Sequence, residues 1–273
     1  MRTNYHTHTS RCRHASGSLA DYCREAVANG VRILGFSDHC PHPDGLWQSV
    51  RMDYAELDDY FRDIRQVREE FPQLKIHAAL ECEFRPELGN FQKEKFLQTP
   101  GRCEYLVLGQ HAYISSEGDW HSAWNMKLDK AVHEYTDFVI RAMDSGIYSI
   151  VAHPDLMFYT GYPWNAEARD CSRALISAAI GHDLPLEINC NGIRKPKVLD
   201  RDQVLRHPYP YCNFWAMAAE MGAKVIIGSD AHAPEEVWCR ENNIAENFVE
   251  FFDLKKLEII NLDKPLENLC SRA

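Results

Sequence analysis

Seven short β-like runs alternate with longer helical patterns, and every run ends in histidines or carboxylates. That repeated address constrains the fold more than any other feature. The runs are Arg2–His8, Arg32–Asp38, Lys75–Glu81, Tyr105–Gln110, Tyr148–His153, Pro185–Asn189 and Lys224–Ser229. Val225-Ile226-Ile227 and Tyr105-Leu106-Val107-Leu108 are continuously apolar, as in strands buried on both faces of a parallel sheet. Helical stretches fill the gaps. Ser18–Ala28 starts on Ser18 as N-cap and stops at Asn29-Gly30. Asp53–Phe71 carries Tyr54, Leu57, Phe61, Ile64 and Val67 at helical spacing, and Pro72 ends it. Leu128–Ser145, Ala166–Ile180 and Phe214–Met221 each run into a glycine, and Glu235–Phe252 is a further helical stretch. Repeated β-α units of this kind predict an α/β fold with a parallel sheet and right-handed crossovers.

The chemistry sits at one place in each unit. His6 and His8 end the first run, with His14 in the loop beyond. Asp38-His39 follows the second, Glu81-Cys82-Glu83 the third and Gln110-His111 the fourth. His153-Pro154 follows the fifth, Glu187-Ile188-Asn189 the sixth and Asp230-Ala231-His232 the seventh. In parallel α/β folds the C-terminal edge of the sheet is where catalytic groups collect. An open sheet would spread these groups along a line of roughly 30 Å, from the ~4.8 Å strand spacing. A barrel turns them into one ring, so a barrel is expected.

Side chains two apart on a strand share a face, so His6 and His8 can reach one metal ion. Asp230 and His232 repeat the geometry. Imidazole with carboxylate suits zinc, iron or manganese. The donors are too many for one ion, and two to three divalent ions fit better. His133 and His182 in helices, His77 within a strand, and His121 and His207 in loops read as ordinary surface or core residues.

Bulk properties narrow the function. The 273 residues carry a net charge of −10 and no basic stripe, which disfavours nucleic acid as partner. No apolar run is long enough for a membrane span. Polar sequence begins by His6 with no leader before it, and the ten cysteines form no C-x-x-C pair. A cytoplasmic protein with reduced thiols is the expectation. No linker or repeat divides the chain, so one domain is drawn over residues 1–273. There is no G-x-S-x-G and no P-loop, so a covalent enzyme intermediate is not expected. The sequence leaves the oligomeric state open.

The ordered motifs from His6 to His232 resemble those of the PHP (polymerase and histidinol phosphatase) superfamily, most closely its monofunctional histidinol-phosphate phosphatases. Two segments favour that branch: Phe36–Pro41 with Arg51-Met52-Asp53, and Leu186–Asn189 with Gly192–Pro196 and Tyr209-Pro210. The resemblance implies a distorted (β/α)7 TIM-like barrel with a trinuclear metal site at the C-terminal ends of the strands. One ion would take His6, His8, Glu81 and Asp230. A second would share Glu81 and add His111 and His153. A third would take His14, His39 and His232.

The reaction then expected is hydrolysis of a small phosphate monoester, L-histidinol phosphate first, by a metal-bound hydroxide. A nucleotide or sugar phosphate is the alternative substrate, and a non-catalytic metal-binding module the alternative class. Glu81 and Asp230 are candidates for the catalytic centre, with Asp155 as general acid. Arg194 is a candidate fork for phosphate. His42 and Arg51 could face substrate. Glu83 could orient a ligand or pair with a substrate amine. The aromatic and Gly-rich segment Met157–Asn165 is expected to border the pocket.

Overall fold

The computed structural model describes residues 1–201 and 203–262, so the last residues of the domain drawn over 1–273 lie outside the described residues. Eight strands form one sheet in sequential order: β1 (Arg2–Asn4), β2 (Val31–Phe36), β3 (Lys75–Cys82), β4 (Tyr105–Leu108), β5 (Ile150–Val151), β6 (Leu186–Asn189), β7 (Lys224–Gly228) and β8 (Lys255–Lys256). Every pairing in this sheet is parallel. The helical crossovers are α1 (Leu19–Ala28), α2 (Leu57–Glu70), α3 (Asp129–Asp144), α4 (Ala166–Gly181), α5 (Cys212–Glu220) and α6 (Arg240–Phe252). Ser18 and Asp21 form the capping box that starts α1.

The sheet curls into a TIM-like barrel that closes at its C-terminal rim. Thr7 and Ala231 form a parallel bridge there. Asp230 N–H donates to the His6 carbonyl at 2.9 Å, and His8 N–H to the Ala231 carbonyl at 2.9 Å. Strand alternation sorts the side chains. Leu34, Leu80, Leu106 and Leu108 join the main core beneath the helices. Tyr5, Ala79, Tyr105, Val107, Ile150, Ala152 and Ile226 form a second core inside the barrel. Glu81 shares the inward parity of Ala79, and so rises directly above that inner plug.

Two strands fall well short of the predicted runs, while the others differ by one or two residues. The first ladder stops at Asn4 and the fifth covers only Ile150–Val151. Beyond these points the backbone leaves the sheet to aim functional groups inward. His153 and Asp230 adopt left-handed φ values of 31° and 47°, a strain that non-glycine residues keep where the surroundings over-determine it. Strand β8 was not expected. Its neighbours Leu257 and Ile260 cover the lower end of the inner core, where the Ile260 N–H donates to the Tyr5 hydroxyl.

Candidate active site

Glu81 is the hub. Its carboxylate lies 3.4 Å from His6 Nε2, 3.5 Å from His8 Nε2, 2.9 Å from His39 Nδ1, 3.6 Å from His111 Nε2 and 3.2 Å from His153 Nε2. It can come so close because Gly109, just past the end of the next strand, has no Cβ; one there would collide with the carboxylate. Asp230 Oδ1 lies 3.1 Å from His8 Nε2 and 3.8 Å from His6 Nε2. His14 and His232 bring their Nε2 atoms within 3.0 Å, and His8, His39 and His232 converge as another group. All nine residues predicted as ligands therefore meet in one bowl.

The two carboxylates of this bowl stay ionised, which suits cations. Burial opposes ionisation of Glu81, but His6, His111 and His39 hold its carboxyl well below the usual range. Asp230 is held low in the same way, chiefly by His6 and His8. Burial pushes His8 well down and His39 down to about 4, whereas, against burial, Glu187, Glu81 and Asp230 hold His6 well above its ordinary value and Glu81 and Glu83 hold His111 above it. His14 Nδ1 lies 2.7 Å from the Cys12 carbonyl and His232 Nδ1 lies 3.0 Å from the Asp230 carbonyl. A carbonyl only accepts, so each Nδ1 carries the proton and each Nε2 presents a lone pair. Two lone pairs facing each other at 3.0 Å repel unless a cation lies between them. The residues thus fit divalent metal ions.

Behind the ligands stands a supporting layer that sequence reasoning largely missed. His6 Nδ1 donates to Glu187 Oε1 at 2.8 Å, and Glu187 Oε2 accepts from the His153 N–H and from Asn189. Gly228 leaves the room for Glu187 that Gly109 leaves for Glu81. The available signal was the charge itself, since a carboxylate in the apolar run Leu186-Glu187-Ile188 requires a partner. Such carboxylate–histidine pairs fix the tautomer and the aim of a ligand. Glu187→Gln should therefore lower metal affinity or kcat/KM by roughly 10–100-fold. Metal titration beside steady-state kinetics checks this.

The residues proposed to meet substrate fare differently. Arg194 donates to the Ser229 and Asp230 carbonyls at 2.6 and 2.9 Å and lies 3.3 Å from Glu236. It braces the turn that carries Asp230 and has no free fork for phosphate. Arg51 is buried and clamps Glu83 with two hydrogen bonds of 2.9 and 3.0 Å. His42 lies 3.2 Å from that guanidinium. Glu83 also holds His111 Nδ1 at 3.0 Å, so of its two expected roles the geometry shows ligand orientation.

Asp155 accepts from the Tyr211 N–H and the Trp215 indole at 2.6 and 3.0 Å, beneath the site. The carboxyl offered as general acid is thus turned into the core. Burial pushes it up to about 6. Because this lies above its unfolded value near 4, the residue costs stability as pH rises from ~4 through ~6. Asp155→Asn should flatten that part of the stability–pH curve. It should leave kcat/KM within about threefold, where loss of a general acid costs roughly 10²–10⁴.

An open cavity of about 360 Å³ gives access to the bowl. His14, His39, Glu81, His111, Asp230 and His232 line its floor, while Val50, Trp124, Asn191, Lys195 and Glu236 form its walls. Lys195, next to Arg194 in sequence, was given no role by sequence reasoning, and the folded chain places it at the cavity. Trp124 stacks on His111 and meets Tyr159 edge-on at 4.9 Å, which places the Met157–Asn165 segment behind the pocket wall.

A barrel with a histidine–carboxylate bowl at its strand ends defines a metallohydrolase type of α/β enzyme. Residues 4–191 match the PHP domain family, and the chain belongs to that family. Membership places it among hydrolases of phosphate monoesters. A probable histidinol-phosphatase of Deinococcus radiodurans is 30% identical over 248 residues, covering 86% of this chain and 88% of the relative. One of Schizosaccharomyces pombe is 23% identical, covering 87% and 82%. Among solved structures, the histidinol phosphate phosphatase of Lactococcus lactis, complexed with zinc, L-histidinol and phosphate, superposes with a TM-score of 0.70. The two are 18% identical, and the match covers 96% of this chain and 97% of that one. That likeness establishes the shared barrel. No described helix is long and apolar enough to cross a membrane.

Proposed function

We propose that this protein hydrolyses L-histidinol phosphate to L-histidinol and phosphate in the cytoplasm. The observation that carries the reading is the Glu81 carboxylate within 2.9–3.6 Å of five imidazoles at the floor of an open cavity. His6, His8, Glu81 and Asp230 would hold one divalent ion, Glu81, His111 and His153 a second, and His14, His39 and His232 a third. Two or three zinc, iron or manganese ions would supply Lewis acidity toward phosphate and water. Their charge would let an acidic protein accept a dianion.

The chain's own residues do the rest. Glu187 and Glu83 fix the rings of His6 and His111. The Lys195 ammonium at the cavity wall favours the approaching phosphate. Trp124 offers an aromatic face against which a flat leaving group packs. The names of the Deinococcus and Lactococcus relatives support an imidazole-bearing substrate.

The test is phosphate release from L-histidinol phosphate beside nucleotide and sugar phosphates, with manganese or zinc supplied. The expected kcat/KM for histidinol phosphate is ~10⁴ M⁻¹s⁻¹ or more and well above the rest. Equal, weak turnover across the panel rejects the substrate and keeps the phosphatase. No turnover with metal bound rejects catalysis.

A further inference from the structure

The turn before α1 places a sulfur beside two of the proposed ligands. Residues Ser10–Cys12 form one 3₁₀ turn, and Arg13 then takes a left-handed φ of 67°. This folds the chain back, so that Cys12 Sγ lies 4.0 Å from His14 Nε2, two residues on. The His14 ring is locked to the same turn through its Nδ1 and the Cys12 carbonyl. His232 Nε2 arrives from the far end of the barrel, 3.0 Å from His14 Nε2. Cys12 sulfur, His14 nitrogen and His232 nitrogen all lie within 4.8 Å of one another.

We propose that Cys12 is a thiolate ligand of the ion held by His14 and His232, making this a soft subsite beside the Glu81-bridged pair. The inference rests on the metal cluster of the proposed function. Donors at ~2.3 Å for sulfur and ~2.0–2.1 Å for nitrogen around a tetrahedral ion stand roughly 3.3–3.6 Å apart. The observed 4.0 and 3.0 Å straddle that range, so small side-chain rotations suffice. Cys12 is fully buried, so its sulfur is shielded from bulk solvent while it lies beside His14 and His232. On metal binding the S–H proton leaves to solvent and the sulfur–metal bond forms, with no change of oxidation state. Thiolate selects zinc or cobalt over manganese, whereas the site around Glu81 has oxygen donors that accept manganese readily.

The full-length protein is stripped of metal, reloaded with cobalt(II), and followed by absorption and elemental analysis. A thiolate-to-cobalt charge-transfer band in the near ultraviolet is expected. In Cys12→Ser the band disappears and one ion per chain becomes removable by a mild chelator, while the ions at Glu81 stay. Cobalt bound without the band in the natural protein overturns the thiolate ligand and leaves the cluster standing. A band that survives in Cys12→Ser overturns it equally, because another cysteine is then responsible. Failure of the natural protein to bind cobalt removes the cluster itself. The measurement on the natural protein needs no variant, so a folding defect in Cys12→Ser does not rescue the proposal.

Discussion

Glu81→Ala should abolish turnover and strip metal from the bowl together. One carboxylate serves five imidazoles, where the other carboxylate of the bowl, Asp230, reaches three. Loss of Glu81 removes the charge that holds the group together, and, on the proposed ligand set, it would remove the bridge between two ions. Removing a single preorganised contact to a transition state already costs roughly 10²–10³ in rate, so a loss of roughly 10³-fold or more is expected here. Elemental analysis should show fewer ions per chain in the same preparation. Gly109→Ala offers an independent route to the same defect. Its new methyl occupies the place of the Glu81 carboxylate, so it should lower metal content without altering any ligand. If Glu81→Ala kept full activity with full metal, the bowl would not be the reaction centre.

The ligands were legible because they obey two local rules. Histidine and carboxylate spacing of two on a strand gives a shared face, and all seven runs end at the same edge. His6 and His8 therefore meet, and so do Asp230 and His232, although the ladder itself stops at Asn4. Strand and helix positions followed from apolar period and from stops at glycine and proline. What escaped depends on contacts between distant residues. Arg194, two residues after a glycine and next to a lysine, looks like an anion fork. That it braces Ser229 and Asp230 depends on a turn 35 residues away. Asp155 follows His153 closely in sequence, yet Tyr211 and Trp215 turn it downward. Strand β8 is two residues long and carries no period to detect. The role of Glu187 could have been inferred from its charge in an apolar strand, but not its partner His6, 181 positions away.

The largest stability effect should come from Glu83→Ala, a residue outside the cavity wall. Glu83 and Arg51 are both almost completely buried, at 1% and 2% exposure. Their paired hydrogen bonds offset the cost of removing two charges from water. Alanine at 83 leaves the guanidinium buried with the Cys40 carbonyl, the Trp47 carbonyl and His42 for company, and no countercharge. Breaking a buried pair from one side costs about 3–5 kcal/mol. In a chain of this size that lowers Tm by roughly 10 °C.

Glu83→Leu combined with Arg51→Met removes both charges and fills the space, so most of that stability should return. Activity should not return with it, because His111 Nδ1 still lacks its acceptor, and loss of such a partner costs roughly 10–100-fold. Calorimetry and kinetics on the single and double variants thus separate two duties of one carboxylate. Recovery of both properties in the double variant would show that Glu83 serves only to neutralise Arg51. Recovery of neither would show that the charged pair itself fixes the loop carrying Arg51 against β3.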